Sequence, residues 1–429
     1  MISRTPCSAG VVALLLTAPV GPAALAQFSI DAAVNYAIGT QPSGMAYGDF
    51  DNDNDIDLAT TIEGPDRIAT LLNNGDGTYV AGATSLLPNS SSPQDLVAGD
   101  FDNNGTIDLA VSVRDPQGAV LIMSNTGGAM FSLAQTVNVG DRPRGLTVAN
   151  IDGDADLDLA VANRDSATAS VLTNTGGVFS AQTVAVGQEP RAAAFGDWFG
   201  DAGLDLAVTN HDDRTISLFQ NNGGSFASVG TLSLGAQRRP EGIVAADLDN
   251  DSDLDLAVAS NGTGFESASV FLFAGGAFSG PAHYPTGGLN TSQIAAADLD
   301  CDGLADLVTA NTDSGNVSLL HNAGGGVFPS PVQMTVGTGP SELAVADFDL
   351  DGDMDFSVAN RDSDNVSVMI NQTCAIVKYG DVNADGVVNI DDIFAVLAAW
   401  GPCDACPEDV NEDGVVNIDD IFEVLSNWG

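Results

Sequence analysis

The chain has 429 residues, with 58 acidic side chains against 12 basic ones and a formal net charge of −46. A charge this negative excludes nucleic acid and anionic membrane surfaces as partners and favours cations. The abundance of Gly and Asp is typical of turn-rich β structure and argues against a helical bundle.

Residues 1–26 form a predicted signal peptide. Arg4 precedes an apolar run from Val11 to Ala18, and the segment from Ala24 to Ala26 has the small residues of a cleavage site. We therefore expect a mature chain that begins near Gln27 and an extracellular or cell-surface location. The sequence has no later apolar run of the roughly 18 residues that a transmembrane segment needs.

A sevenfold repeat fills residues 27–373. The acidic segment that begins at Asp347 has six relatives upstream, which begin at Asp49, Asp100, Asn150, Asp197, Asp247 and Asp298. Their spacing of about fifty residues is typical of propeller blades. The repeat units contain four short apolar runs separated by Gly, Pro and Asn turns, which is the pattern of a four-stranded antiparallel blade. The predicted fold class is all-β: a seven-bladed β-propeller.

The first and last parts of this repeat complete each other. The seventh unit stops after its third predicted strand, at Asn371, and the stretch from Phe28 to Gly39 resembles a fourth strand with no unit before it. We predict that this stretch closes the last blade and leaves no open sheet edge.

The acidic loops are predicted calcium sites. In the first loop, side-chain oxygens at positions 1, 3, 5 and 9 can converge, with the carbonyl of position 7 as a further ligand. Calcium takes six to eight oxygen ligands in flexible geometry, whereas magnesium demands a stricter octahedron. Two carboxylates about 4 Å apart repel by roughly 4 kcal/mol at an effective dielectric of 20, so the acidic ring needs cations to close. The alternative interpretation is that these turns are merely solvated.

The predicted calcium ligands occupy the same positions in six loops. They are Asp49, Asp51, Asp53 and Asp57; Asp100, Asp102, Asn104 and Asp108; Asn150, Asp152, Asp154 and Asp158; Asp247, Asp249, Asp251 and Asp255; Asp298, Asp300, Asp302 and Asp306; and Asp347, Asp349, Asp351 and Asp355. In the fourth loop Phe199 replaces the carboxylate of position 3, so the loop from Asp197 to Asp205 is expected to bind calcium weakly or not at all.

These loops resemble those of the FG-GAP/VCBS repeat family, whose calcium motif is Asp-x-Asp-x-Asp-Gly-x-x-Asp and which builds the propeller of integrin α subunits. The resemblance covers about residues 28–373. It implies a platform for adhesion or carbohydrate recognition, and in some bacterial proteins a scaffold beside an enzyme.

The arginines are predicted to share the propeller face opposite the calcium loops. Strand order puts the acidic loops and the third-to-fourth turns on one face and the remaining connections on the other. A ligand face with Arg142, Arg144, Arg238 and Arg239 is one hypothesis, because guanidinium groups bind carboxylate or sulfate in bidentate fashion. The alternative is that these arginines pair with acids of their own loops, such as Asp165, Glu189 and Glu241.

Residues 374–429 form a predicted second domain with two EF-hand-type loops. Gly386 and Gly414 lie at the sharp turns, and each loop precedes a helical pattern, over residues 390–400 and 418–428. The predicted calcium ligands are Asp381, Asn383, Asp385, Asn389 and Asp392 in the first loop and Asp409, Asn411, Asp413, Asn417 and Asp420 in the second.

Two such units resemble a type I dockerin domain. The resemblance implies binding to a cohesin-like or other surface scaffold protein through residues 378–429. The partner-reading positions 10 and 11 are Ile390-Asp391 and Ile418-Asp419, not the hydroxyl residues of cellulosomal dockerins, so a different receptor is an alternative. A calcium-stabilised tail without a partner is another.

The mature chain has four cysteines: Cys301, Cys374, Cys403 and Cys406. An oxidising location favours a disulfide between Cys403 and Cys406, with a zinc half-site or free thiols as alternatives.

No catalytic constellation is recognised. The three histidines, His211, His283 and His321, lie in different repeats, and the sequence has no nucleophile elbow, no His-Glu-x-x-His and no phosphate-binding glycine loop. The leading prediction is therefore a non-enzymatic calcium-binding propeller for adhesion or for carbohydrate or protein recognition. The runner-up is an accessory or catalytic component of extracellular polysaccharide degradation, because a carboxylate pair of a glycoside hydrolase or lyase could be hidden among so many acids.

Overall fold

The computed structural model describes residues 28–88, 91–114, 117–200 and 203–373, together with residues 393–394, 396–397, 401–402, 415–416 and 421. The predicted signal peptide and most of the predicted second domain, including all of its predicted calcium ligands, lie outside these residues. No helix in the described part of the chain has the length and apolarity to cross a membrane.

Seven antiparallel sheets of four strands form the blades, which confirms the predicted seven-bladed propeller. Blade 1 consists of β2 (Pro42–Gly48), β3 (Asp57–Ile62), β4 (Arg67–Asn73) and β5 (Tyr79–Leu86). Blade 2 consists of β6 (Pro93–Gly99), β7 (Asp108–Val113), β8 (Ala119–Asn125) and β9 (Phe131–Asn138). Blade 3 consists of β10 (Pro143–Ala149), β11 (Asp158–Asn163), β12 (Thr168–Thr175) and β13 (Val178–Ala185). Blade 4 consists of β14 (Pro190–Gly196), β15 (Asp205–Asn210), β16 (Thr215–Asn221) and β17 (Phe226–Ser233).

The remaining blades follow the same order from the axis outwards. Blade 5 consists of β18 (Arg239–Ala246), β19 (Asp255–Asn261), β20 (Ser267–Phe271) and β23 (Ala282–Pro285), with a small hairpin of β21 (Phe273–Ala274) and β22 (Ala277–Phe278) before its last strand. Blade 6 consists of β24 (Thr291–Ala297), β25 (Asp306–Asn311), β26 (Asn316–Leu320) and β27 (Pro331–Thr335). Blade 7 consists of β28 (Pro340–Ala346), β29 (Asp355–Asn360), β30 (Asn365–Met369) and β1 (Val34–Ala37).

The N-terminal segment supplies the outer strand of the last blade. Strand β1 runs antiparallel to β30, with Val34 opposite Val368 and Ala37 opposite Asn365. The backbone N–H of Asp31 donates to the carbonyl of Ile370 at 2.8 Å and extends this pairing. The pairing of β1 with β30 therefore closes the ring. It does so at the place where the sequence predicts a missing fourth strand.

In the C-terminal region the described residues are few. Residues 393–394, 396–397 and 421 are helical, and β31 (Gly401–Pro402) pairs with β32 (Val415–Val416). The dockerin-like domain remains a prediction.

The apolar core lies between neighbouring blades. The middle strands β3, β7, β11, β15, β25 and β29 are buried along their whole length. At position 2 of the first acidic loop, the ring of Phe50 is fully buried and meets Phe131 of blade 2 edge to face, with ring centroids 5.6 Å apart. The acidic loops are thus anchored to the sheet core by the apolar residue between their first two acids.

Six of the seven innermost strands have Pro at or next to their first residue, and each of the seven starts with an irregularity in register, such as the one between Pro42 and Met45. A bulge re-aims the side chains next to it. Here it brings the two residues after the proline to the propeller axis, where they line a polar channel.

Candidate metal loops and central channel

The first acidic loop is a tight turn whose own backbone holds its first carboxylate. Asn52 and Asn54 adopt left-handed φ values of 66° and 77°, which Asn tolerates better than most residues. The N–H groups of Asp53 and Asn54 both donate to the Asp49 carboxylate at 3.1 Å. The sequence thus folds locally so that alternate side chains point to one centre.

Carboxylates converge in these loops as the sequence predicts. The side chains of Asp49, Asp51 and Asp53 each present a ligand atom within 4.8 Å of the others, and those of Asp100, Asp102 and Asp108 and of Asp247, Asp249 and Asp251 do the same. Burial, and then the neighbouring Asp53 charge, raise the pKa of Asp51 above its usual value.

Buried carboxylate oxygens in loops 1, 5 and 6 lack a donor within the described part of the chain. Among the described residues, Asp51 Oδ1 and Asp249 Oδ1 are buried without a hydrogen-bond partner. An unpaired buried carboxylate oxygen is costly, and a bound cation would remove that cost. An all-oxygen donor set with flexible geometry fits calcium, so these residues fit the predicted ion.

The aspartate at position 9 has a second role that the sequence reasoning missed. Asp57 is fully buried, and its two oxygens accept the N–H of Phe50 at 3.0 Å and the N–H of Asn73 at 2.9 Å. In the fourth loop, where Phe199 stands at position 3, Asp205 still accepts the N–H groups of Trp198 and Asn221, both at 2.9 Å. Position 9 therefore fastens the loop to the third strand of its blade.

These position 9 carboxyls sit in an environment that disfavours their charge. Burial is the main cause, partly offset by the backbone donors, and it raises the pKa of Asp57, Asp108 and Asp255 to about 6 and that of Asp355 to about 7.

In six of the seven blades, an asparagine at the end of the third strand joins the blade to the one before it. Asn125 Nδ2 donates to the carbonyl of Phe50 in blade 1 at 2.9 Å, and Asn174 Nδ2 donates to that of Phe101 in blade 2 at 2.8 Å. The same joint is made by Asn73, Asn221, Asn322 and Asn371. The asparagine recurs at the same position of these repeats, and this regular spacing could have predicted the joint from the sequence.

Blades 4 and 5 depart from this rule together. Blade 5 has Phe273 in place of the joining asparagine, and the indole N–H of Trp198 in loop 4 donates instead to the Leu254 carbonyl of blade 5 at 2.6 Å. Phe199 meets Phe273 edge to face, with centroids 6.1 Å apart. An aromatic joint replaces the amide joint at this blade interface, where loop 4 has no carboxylate at position 3.

Beside loop 6 lies His321, a histidine that the sequence analysis did not assign to a metal site. His321 Nδ1 lies 3.0 Å from Asp300 Oδ2 and 3.4 Å from Asp306 Oδ1. Cys301 in the same loop is disulfide-bonded.

On the opposite face, most of the predicted ligand-face arginines have partners. Arg142 is 3.4 Å from Asp165, and Arg239 is 3.7 Å from Asp212. The guanidinium of Arg238 lies 5.4 Å from the centre of the Phe265 ring, over its face, and donates from Nε to Ser267. The predicted alternative, pairing with loop acids, therefore describes Arg142 and Arg239.

Arg144 lies elsewhere, in the central channel. A cavity of about 130 Å³ at the propeller axis is lined by residues from all seven innermost strands, with Glu63 and Arg361 beside them. The guanidinium groups of Arg144 and Arg191 both reach it, and burial followed by the neighbouring Arg191 charge lowers the pKa of Arg144. Arg191 also lies 3.7 Å from Glu241, so the lining carries both signs of charge and suits a strongly polar occupant.

Two buried carboxyls lie in the same cavity. Glu342 accepts the side-chain amide of Gln293 at 2.6 Å, and Asp95 accepts the N–H of Leu146 at 2.7 Å. Burial raises the pKa of both, to about 6 for Asp95, and the Asp95 charge further raises that of Glu342. Sequence reasoning missed this pair because its members are five blades apart along the chain.

A charged network rims the channel. His211 is buried with Nδ1 3.0 Å from Glu189 and Nε2 3.1 Å from Glu241, so both ring nitrogens face carboxylates. Hydrogen bonds and charge from Arg164 and Arg191 outweigh burial and lower the pKa of Glu189 to about 2. This network holds the arginines in place around the cavity.

Comparison with known proteins agrees with this architecture. The model of the FG-GAP-like repeat matches residues 49–111, 197–258, 247–309 and 302–358, which together make up more than half of the chain. No curated protein sequence matches the chain.

Solved structures share the fold at low identity. BBS1N, crystallised in complex with ARL6DN, is 14% identical over 80% of this chain and 96% of its own, with a TM-score of 0.57. Virginiamycin B lyase from Staphylococcus aureus is 12% identical over 80% of this chain and 99% of its own, with a TM-score of 0.53. The periplasmic gluconolactonase PpgL from Pseudomonas aeruginosa is 16% identical over 74% of this chain and 88% of its own, with a TM-score of 0.53. Together with the repeat match, the loops and the sevenfold ring establish that the chain belongs to the family of FG-GAP-like repeat proteins.

Proposed function

We propose that this protein is a secreted or cell-surface propeller that uses calcium to hold its acidic ring together and that binds a carbohydrate or protein ligand without transforming it. The observation that carries the proposal is the convergence of Asp49, Asp51 and Asp53, repeated at Asp247, Asp249 and Asp251, with buried oxygens that lack a donor. The disulfide at Cys301 and the predicted signal peptide support an oxidising, extracellular location.

Calcium would act as a structural ion in these loops. It would neutralise carboxylates on the face of a chain with a formal net charge of −46 and tie each loop to the start of the second strand. The chain's own residues supply the rest of the rigidity, through the position 9 carboxylates and the asparagine joints.

Chelation tests this part of the proposal. Thermal melting of the full chain should shift downwards after dialysis against a chelator and recover on addition of calcium, since a ligand at 100 times its dissociation constant adds about 2.7 kcal/mol per site. Elemental analysis should find several calcium ions per chain before dialysis. An unchanged melting point together with no bound metal would contradict the proposal.

The ligand site of the proposal is the arginine end of the central channel. At this end the guanidinium groups of Arg144, Arg191 and Arg361 outnumber the carboxyls of Glu241 and Asp362. The hydroxyl groups of Ser292, Thr312 and Ser341 lie beside them. This mixture suits a carboxylated or sulfated saccharide, or an acidic peptide. Retention on immobilised acidic glycans, compared between the wild type and Arg144→Gln, tests it, with the rim variant Arg142→Gln as the matched control.

The C-terminal region supplies the proposed tether. Its two EF-hand-type loops, with a dockerin-like pattern, support binding to a cohesin-like or other scaffold protein on the cell surface. Pull-down from surface extract with and without residues 378–429, in calcium and in chelator, tests it. Capture that does not depend on these residues would reject the tether.

A second function has one observation in its favour. Asp95 and Glu342 are neighbouring buried carboxyls in a cavity with raised pKa values, and such pairs serve as acid and base in polysaccharide-degrading enzymes. Release of sugar ends by the purified chain, abolished in Glu342→Gln, would favour this accessory or catalytic role. Retention of the polysaccharide without shortening would favour the binding role.

A further inference from the structure

We propose that loop 6 is a mixed histidine and carboxylate site that holds a transition-metal dication such as Zn²⁺, in contrast to the all-oxygen calcium loops of the other blades. This inference rests on the proposed metal-binding function of the loops and deepens it. Its donors are His321 together with Asp300, Asp302 and Asp306.

The geometry of the four residues supports a shared ion. Asp300, Asp302 and His321 each present a ligand atom within 4.8 Å of the other two. The Nδ1 atom of His321 is 3.0 Å from Asp300 Oδ2 and 3.4 Å from Asp306 Oδ1. Two ligands bound at about 2.0–2.1 Å with a tetrahedral angle are about 3.3 Å apart, so these separations suit one small dication between them.

The carboxylate that faces the ring is buried and poorly satisfied by hydrogen bonds. The side chain of Asp300 is 4% exposed, and within the described part of the chain neither of its oxygens has a hydrogen-bond partner. Asp298 Oδ1 in the same loop is also buried without a donor. Loop 6 thus contributes more such oxygens than any other acidic loop within the part of the chain that the structure describes.

The histidine is specific to this blade. His321 directly precedes the joining asparagine of its third strand, and the equivalent residues beside the other carboxylate loops are Leu72, Ser124, Thr173, Leu272 and Ile370. None of these side chains offers a nitrogen. The remaining loops therefore keep the oxygen donors that calcium prefers, whereas imidazole favours zinc, copper, nickel and iron.

The environment of His321 supports a fixed ligand. Its side chain is 19% exposed, and its ring meets Phe28 of the N-terminal segment at a centroid distance of 6.3 Å in an edge-to-face arrangement. The segment that closes the ring thus contacts the histidine of the site. A ligand ring held by packing on its outer side loses little freedom when a metal binds.

The test compares zinc binding by the full chain and by His321→Leu, which has the residue found at this position in blades 1 and 5. Both proteins are stripped of metal, refilled with excess calcium and titrated with Zn²⁺ against a chromophoric chelator. In competition with this chelator, the wild type should retain one more zinc equivalent per chain than the variant. The affinity of the site for zinc should fall in His321→Leu by more than the roughly 10–100-fold that removal of an outer-shell partner costs. Zinc X-ray absorption should lose a nitrogen neighbour.

A matched gain-of-function variant guards against a folding artefact. Ser124→His places an imidazole at the equivalent, half-buried position beside Asp100, Asp102 and Asp108, and it should add a zinc equivalent while calcium-dependent melting stays native. Equal zinc retention by wild type and His321→Leu would overturn the inference, and so would a natively folded Ser124→His that gains no zinc. Calcium binding at loops 1, 2 and 5 is measured in the same samples, so its loss would contradict the proposed function and leave the zinc result standing.

Discussion

The side-chain amide of Asn73 donates to the backbone carbonyl of Phe348 at 2.6 Å, across 275 residues of sequence. The same Nδ2 atom donates to the carbonyl of Ile56 in its own blade at 3.1 Å. One buried amide therefore satisfies a carbonyl on each side of the junction between the first and last blades, which residues 38–41 connect from β1 to β2.

Asn73→Ala should destabilise the propeller by about 1–3 kcal/mol, because two buried carbonyls lose their donor. Chemical denaturation monitored by circular dichroism measures the change. Asn222→Ala, in an exposed turn of blade 4, is the control and should stay within about 0.5 kcal/mol of the wild type. An Asn73 variant as stable as this control would show that water replaces the amide.

The blade count and the acidic loops could be predicted because both depend on local order in the chain. A period of about fifty residues and alternate acids within nine residues are properties of one unit. The asparagine joints and the channel carboxyls depend on which residues of distant or successive units meet. Those meetings are set by the radius and closure of the ring, and no pattern within one unit contains them.

The double role of position 9 separates folding from metal binding. Asp205→Ala and Asp255→Ala each remove the acceptor of buried backbone N–H groups, so each should cost about 1–3 kcal/mol in chelator. The stability that Asp255→Ala loses relative to the wild type should be larger in calcium than in chelator, because its loop can no longer hold the ion. The loss caused by Asp205→Ala should be about the same in both conditions. Melting with and without calcium measures both, and identical calcium responses would place no ion in loop 5.

Metal-free protein should become more stable as the pH falls from about 7 to about 5. Asp57, Asp108 and Asp255 have pKa values raised to about 6 in the folded state, above the usual 3.8, so the folded chain takes up protons in this range while the unfolded chain does not. The stability that these groups contribute is complete below the unfolded pKa and is lost as the pH rises through the folded pKa.

Calcium should reverse this trend, since it binds only the ionised carboxylates and is displaced on acidification. Melting temperatures from pH 5 to pH 7.5 in chelator and in calcium give two curves of opposite slope. Parallel curves would contradict calcium binding at these carboxylates.

Replacing Glu342 should stabilise the channel at alkaline pH. Burial and the Asp95 charge hold the pKa of Glu342 well above its usual range, so ionising it in the folded protein is unfavourable. Glu342→Gln keeps the shape of the protonated group and should raise the melting temperature more at pH 8 than at pH 5, because only the ionised wild-type carboxylate is unfavourable in the folded protein. Glu266→Gln, at a position on the rim outside this cavity, is the control. A lower melting temperature for Glu342→Gln at pH 8 would mean that the ionised carboxylate is needed, as in a catalytic or ion-binding role.

The aromatic joint between blades 4 and 5 should be independent of calcium. Trp198 is buried, and its indole N–H is the donor for the Leu254 carbonyl at 2.6 Å. Trp198→Phe keeps an aromatic ring in the core but leaves that carbonyl without its donor, so it should cost about 1–3 kcal/mol. The loss of stability should be the same in calcium and in chelator, because loop 4 has Phe199 at position 3, where the other six loops have an aspartate. Asp51→Ala is the matched contrast: it should lose stability in calcium and little in chelator. If Trp198→Phe instead responded to calcium as Asp51→Ala does, loop 4 would be a metal site despite its aromatic residues, and the ring would contain a seventh loop ion.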